Sequence, residues 1–188
     1  MDCGGRFFSR PLKDYPPSAK DAELMSRFAP LQSFESVNAI ISQLRIFGGV
    51  TDIQRDLIFH RLKIGHFKKG ECIFQQGDQP LYIYIVETGK IDIQINENEV
   101  MIPKHRLAVG ECFGEASLMS MHAHTATAVA AEESEIVVLS RHTLNQLRHD
   151  DIELFALLMM NLARELARRL YLTDKILLEV SAGKQWTD

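Results

Sequence analysis

The chain has 188 residues and a mass of 21.4 kDa, room for one domain with helical additions and a core large enough to fold alone. Its formal net charge of -4 and pI near 6.0 argue against a dedicated nucleic-acid binder, which is usually basic. No apolar run reaches the ~18 residues of a membrane span. No signal peptide is visible, and Cys3, Cys72 and Cys112 are too few and too scattered for a disulfide framework, so a cytoplasmic protein with free thiols is expected.

In chain order, residues 1–30 are rich in Gly, Pro, Ser and charge, and they read as a flexible N-terminal arm with one helical turn around Ala22–Phe28. Residues 31–62 read as two N-terminal helices. In the first, Val37, Ile40, Ile41 and Leu44 recur at helical spacing until Gly48-Gly49 stops the run; Thr51-Asp52-Ile53-Gln54 is a capping-box pattern that opens the second. The texture changes at Lys63. From there to residue 140, short alternating runs separated by Gly70, Gly77-Asp78, Gly89 and Asn96–Asn98 predict strands, with further ones at 106–109, 112–113, 125–130 and 135–139. This pattern is mainly β with flanking helices, an antiparallel β-roll or jelly roll rather than a βαβ sheet. The segments Lys69-Gly70-Glu71-Cys72-Ile73-Phe74 and Val109-Gly110-Glu111-Cys112-Phe113 resemble one another, which we attribute to related turns and not to a metal site.

Within the roll, Gly114 can bring its backbone close to a ligand, and the turn after it would aim N–H groups at an anion. Glu115 adds an acceptor and Thr125 a hydroxyl, so together they could hold a phosphate and a sugar hydroxyl. Residues 141–188 read as C-terminal helices and a short tail. Ser140 is an N-cap, and Asp150 or Asp151 caps a helix of roughly 40–45 Å. Its stripe of Phe155, Leu158, Met159, Leu162, Leu166, Leu170, Thr173, Leu177 and Val180 is longer than a small roll can cover. A homodimer through 151–180 is therefore expected.

These parts, in this order, resemble the cyclic nucleotide-binding domain over roughly residues 44 to 180. The resemblance is carried by 67–74, by Gln76-Gly77-Asp78, by Leu81 to Ile91 and by Gly110 to Val129. It implies a cyclic AMP or cyclic GMP ligand inside the roll, with Glu115 accepting from the ribose 2′-hydroxyl and Gly114, Ala116 and Ser117 around sugar and phosphate. The position that holds a phosphate-binding arginine in the family falls on His124, and the following hydroxyl position on Thr125, where a hydroxyl in this family sometimes accompanies guanine acceptance. Arginine is always charged and grips phosphate with two parallel donors, whereas histidine offers one and is mostly neutral near pH 7. Losing a charge-assisted bond costs on the order of 1.5–3 kcal/mol, so weak binding, stronger binding in mild acid, or another ligand is expected. The loop 78–81 looks shorter than in the family, in a turn distant from the ligand.

The run Ala167 to Lys175 also resembles the dimer helix of the bacterial catabolite activator group, which implies a contact from Thr173 to the adenine amino group; packing in the dimer seam is the alternative. The function expected is a sensor or regulatory protein that signals through its C-terminal helix to an unknown downstream partner, without direct contact with nucleic acid or membrane. Two other readings stay open. One is a degenerate roll kept for dimerisation or docking. The other is a sensor of a different effector such as haem, for which His122, His124, Met119 and Met121 are the candidates. No Ser–His–Asp order, metal-ligand spacing or Walker-type loop supports an enzyme, so no catalytic residue, metal ligand or cofactor is assigned.

Overall fold

The computed structural model describes residues 19–31, 44–97 and 100–181. In chain order these form α1 (Ala19–Ser26), β1 (Ala29–Pro30), a 3-10 turn (Arg45–Phe47), α2 (Asp52–Phe59), β2 (Lys63–Phe67), β3 (Cys72–Phe74), β4 (Tyr82–Thr88), β5 (Ile91–Glu97) and β6 (Val100–Leu107). Then come β7 (Cys112–Phe113), α3 (Glu115–Ser120), β8 (Thr127–Ala130), β9 (Ser134–Ser140), α4 (Arg141–Asp150) and α5 (Ile152–Ser181). The strands make two antiparallel sheets, ordered β1-β2-β9-β4-β7 and β3-β8-β5-β6. This is the antiparallel roll with flanking helices that the strand pattern predicts.

β4 explains how two cores share one sheet. Its sequence, Tyr-Ile-Tyr-Ile-Val, is apolar at every position because both faces are covered. Tyr82, Tyr84 and Val86 point between the sheets to Phe67, Phe74, Phe113 and Ile136, while Ile83 and Ile85 point to the helices and meet Leu139, Leu144, Leu158 and Leu162. β9 does the same with Ile136 and Val138 against Val137 and Leu139.

The repeated Gly-Glu-Cys segments are a repeated turn. Gly70 and Gly110 both adopt positive φ, +83° and +86°, as the third residue of their turns. In each, the following glutamate closes the turn, Glu71 accepting from the Lys68 N–H at 2.8 Å and Glu111 from the Ala108 N–H at 2.9 Å. Gln75 to Asp78 repeats the device, with Asp78 accepting from the Gln75 N–H at 2.7 Å.

Several expectations are refined. Thr51 and Gln54 form the predicted capping box, and Ser140 caps α4 by accepting from the Thr143 N–H. Asp151 rather than Asp150 caps the long helix, accepting from the Leu154 N–H at 2.9 Å, because Asp150 is taken by Arg61 at 2.8 Å. Residues 19–31 are part of the fold and not an arm. Phe28 is buried against Phe67 and Tyr82, and Gly65 leaves the room, since a Cβ there would lie 2.7 Å from the Phe28 ring. Residues 1–18, most of the helix expected from 36 to 47, and the tail after Ser181 lie outside the described residues. Among the described residues no helix is long and apolar enough to cross a membrane.

α5 is tied to the 3-10 turn by a buried amide. Asn161 donates to the carbonyls of Ile46 and Gly48 at 3.0 and 2.9 Å. Leu154, Leu158, Asn161 and Leu162 are the buried residues of this helix; its second half leaves the body of the roll.

Candidate functional site

Gly114 connects β7 to α3 and needs to be glycine twice over. Its φ is +76°, and a Cβ would stand 2.8 Å from a Tyr84 ring carbon. The turn delivers Glu115 inward at the first position of α3, where it is only 1% exposed. Ala116 faces outward and Ser117 is buried. Met121, at φ +61°, ends the helix, and its N–H donates to the Ser117 carbonyl.

The strand expected from Thr125 begins two residues later, at Thr127. The reason is that the backbone of His124 is engaged by the turn after β3: its N–H donates to Asp78 and its carbonyl accepts from Gly77, at 2.9 and 2.8 Å. Thr127 serves the same turn by accepting from the Gln76 N–H at 3.1 Å. Asp78, the first residue of the loop 78–81 expected to be distant from the ligand, thus bonds the backbone of the candidate phosphate position.

The His124 side chain lies inside the roll. It is 3% exposed and stacks on Phe74 with ring centroids 3.7 Å apart and planes inclined by 9°. Burial pushes its pKa down to about 4, with the Asp78 carboxylate opposing, so the ring is neutral at physiological and mildly acidic pH. His122 is exposed, and among the described residues no group of three His, Cys, Asp or Glu side chains is arranged to hold a metal ion.

Glu115 has two different oxygens. Oε1 accepts from Arg169 Nη1 of α5 at 2.7 Å, while Oε2 is buried without a partner. The same guanidinium donates from Nη2 to the Cys112 carbonyl and from Nε to Glu165 at 3.1 Å. Burial raises the pKa of Glu115, and the positive charge of Arg169 offsets part of that rise. Glu165 goes the other way, down to about 2, chiefly through its hydrogen bond to Arg168 against a smaller opposing effect of burial. Sequence reading missed Arg169. Its signal was the spacing, since Glu165, Arg169 and Thr173 recur every four residues on one helix face.

Gly114, Glu115, Ala116 and Ser117 are thus gathered at one corner of the roll, and α5 reaches that corner through Arg169. Thr173 sits one turn further along α5, exposed, with its hydroxyl donating to the Arg169 carbonyl at 2.9 Å. Thr125 is also exposed. Two further polar atoms inside the roll, His124 Nε2 and the Tyr84 hydroxyl, join Glu115 Oε2 in having no partner. Buried orphans of this kind are rare in native proteins and cost about 1–3 kcal/mol each. Tyr84 and His124 both lie against Phe74, and a polar ligand inside the roll would give these atoms partners.

Comparison with known proteins finds relatives of the roll. A cGMP-dependent protein kinase of Plasmodium berghei is 31% identical over 114 residues, which is 61% of this chain and 13% of the kinase. A cyclic AMP receptor protein of Thermus thermophilus is 33% identical over 132 residues, 69% of this chain and 58% of the receptor. The chain therefore spans only part of the length of these relatives. A solved cyclic nucleotide-binding domain from Methylobacillus flagellatus superposes with a TM-score of 0.71 at 19% identity, covering 88% of this chain and 93% of that one. The family profile described as "Cyclic nucleotide-binding domain" matches residues 64–151, which hold the Gly114–Glu115 corner, His124 and the turn that anchors it, and over these residues the chain is similar to that domain.

Proposed function

We propose that the chain is a regulatory module that takes cyclic AMP or cyclic GMP inside the roll and transmits occupancy through α5. The observation that carries this reading is the divided role of Glu115, whose Oε2 is buried without a partner while Oε1 is held by Arg169 of the terminal helix. A ribose hydroxyl donating to Glu115 competes electrostatically with Arg169, so ligand and helix position are linked through one carboxylate. A ligand moves an equilibrium only by binding two states differently, and this contact provides the difference. Thr173, one turn beyond Arg169, is the residue of α5 that we assign to the base. Gly114, Ala116 and Ser117 supply the backbone around sugar and phosphate, and Thr125 supplies a hydroxyl.

Calorimetric titration with each cyclic nucleotide at pH 7 tests this. Saturable binding is expected, and ligand at a hundred times its dissociation constant should stabilise the fold by about 2.7 kcal/mol. No heat and no change in melting temperature at millimolar ligand would refute it. One observation favours a ligand-free docking module instead: the neutral His124 ring, closed over by Phe74, gives a cyclic phosphate no positive charge at that position. The same titration separates the two readings.

We further propose that α5 pairs with a second copy of the chain. Leu170, Leu177 and Val180 are 63%, 62% and 58% exposed at steps of seven and three residues, a seam that a partner helix would cover. Sedimentation velocity should give a dimer for the native chain and a monomer for the double substitution Leu170→Glu, Leu177→Glu. A native monomer at high micromolar concentration would end this assignment.

A further inference from the structure

At the end of the five-stranded sheet, on the face that carries Tyr82 and Val138 and where β4 and β9 meet the start of α4, lies a cavity of about 390 Å³. It shares no lining residue with the corner around Glu115 and His124. Arg61, Lys63, Arg141 and His142 line it, and no acidic side chain does. Asp150 neutralises one of these cations, accepting from Arg61 Nη2, but Arg61 Nη1 is left buried without a partner. Arg141 is the unusual member. It is only 9% exposed, yet among the described residues its guanidinium has no ion pair and no hydrogen bond. Lys63 likewise has no counter-ion among them. Arginines buried this deeply are normally paired, and the Arg141 guanidinium instead lines the cavity without an acceptor among the described residues.

The backbone points the same way. α4 is ten residues long, and its first turn opens onto the cavity. The Arg141 N–H donates to the Leu81 carbonyl and the Thr143 N–H to Ser140 Oγ, which leaves the His142 N–H of that turn without a partner among the described residues. A free N–H at a helix start, beside an unpaired buried guanidinium and a lysine, presents several donors and surplus positive charge to one point. Leu81 and Val138 make the wall behind it apolar. The volume exceeds what a bare ion needs and falls in the range of small-molecule sites.

We propose that this cavity is a second ligand site, independent of the roll interior, that takes a small phosphate monoester. The phosphate meets Arg141, Lys63 and the His142 N–H, and the organic group lies against Leu81 and Val138. A dianionic phosphate suits this set better than a carboxylate, because it offers enough acceptor oxygens for all the donors at once.

The test is an amide-resolved NMR titration of the full chain with phenyl phosphate, with inorganic phosphate, and with sodium chloride at matched ionic strength. Phenyl phosphate should shift the His142 and Thr143 amides saturably and bind more tightly than inorganic phosphate, and chloride should do neither. Arg141→Met and Lys63→Met should each weaken binding by about tenfold or more, the loss of one charge-assisted contact. Glu115→Ala should leave it unchanged. Lys63 is exposed, so Lys63→Met keeps the test decisive if Arg141→Met does not fold. Shifts confined to residues 114–125, shifts matched by chloride, equal affinity for the two phosphates, or native affinity in Lys63→Met would each overturn the proposal.

Discussion

Replacing His124 with arginine is expected to raise affinity for cyclic AMP or cyclic GMP by roughly one to two decades, the worth of a charge-assisted contact to phosphate. The site is prepared for the change in one respect and not in another. Phe74 offers a flat face 3.7 Å from the present ring, and a planar guanidinium can stack there as the imidazole does. His124 is 3% exposed, however, so the longer side chain needs the ligand's negative charge to compensate for its own burial. The variant should therefore be less stable than the native chain without ligand and regain stability with it. Acidification does not substitute for the mutation. With a pKa of about 4, roughly one ring in a hundred is charged at pH 6. Calorimetry of the native chain and the His124→Arg variant, at pH 6 and pH 7, measures both effects. Equal affinities in the two proteins would remove His124 from the phosphate position.

Glu115→Ala is expected to lower nucleotide affinity by about one to two decades without unfolding the roll. Alanine removes an acceptor from the ribose and frees Arg169, which keeps Glu165 and the Cys112 carbonyl as partners. Because burial already raises the pKa of Glu115, the carboxylate adds less to the stability of the ligand-free fold than an exposed ion pair count suggests. The loss should thus appear in binding far more than in melting temperature. The same change removes the Glu115–Arg169 bond between the ligand site and α5, so any ligand-induced change in helix protection from hydrogen exchange should disappear as well. Native affinity in the variant would refute the ribose contact, and retained helix response would refute the route through Arg169.

Much of the fold was legible in the residues. The capping box at Thr51, the Ser140 cap, the glycine-punctuated strands and the long stripe of α5 all follow from short-range stereochemistry and periodicity, which act within a few residues. The repeated Gly-Glu-Cys segments could be read as related turns for the same reason. Residues 19–31 were harder. Phe28 inserts between Phe67 and Tyr82 only because Gly65, far along the chain, leaves a gap there. A glycine in a strand shows a missing side chain but not which ring replaces it.

Length, composition and the order of motifs were enough to specify an antiparallel roll with a terminal helix, and to place Gly114, Glu115 and His124 in one segment, because these depend on local pattern and spacing. Tertiary structure alone decided what those residues experience. It put Arg169, more than fifty positions away, on Glu115 Oε1; it laid His124 on Phe74, where burial favours the neutral ring; and it brought Arg141 and Lys63 to one cavity with no counter-ion among the described residues. Each of these depends on desolvation and on contacts between distant segments, and neither quantity is written in the spacing of residues along a chain.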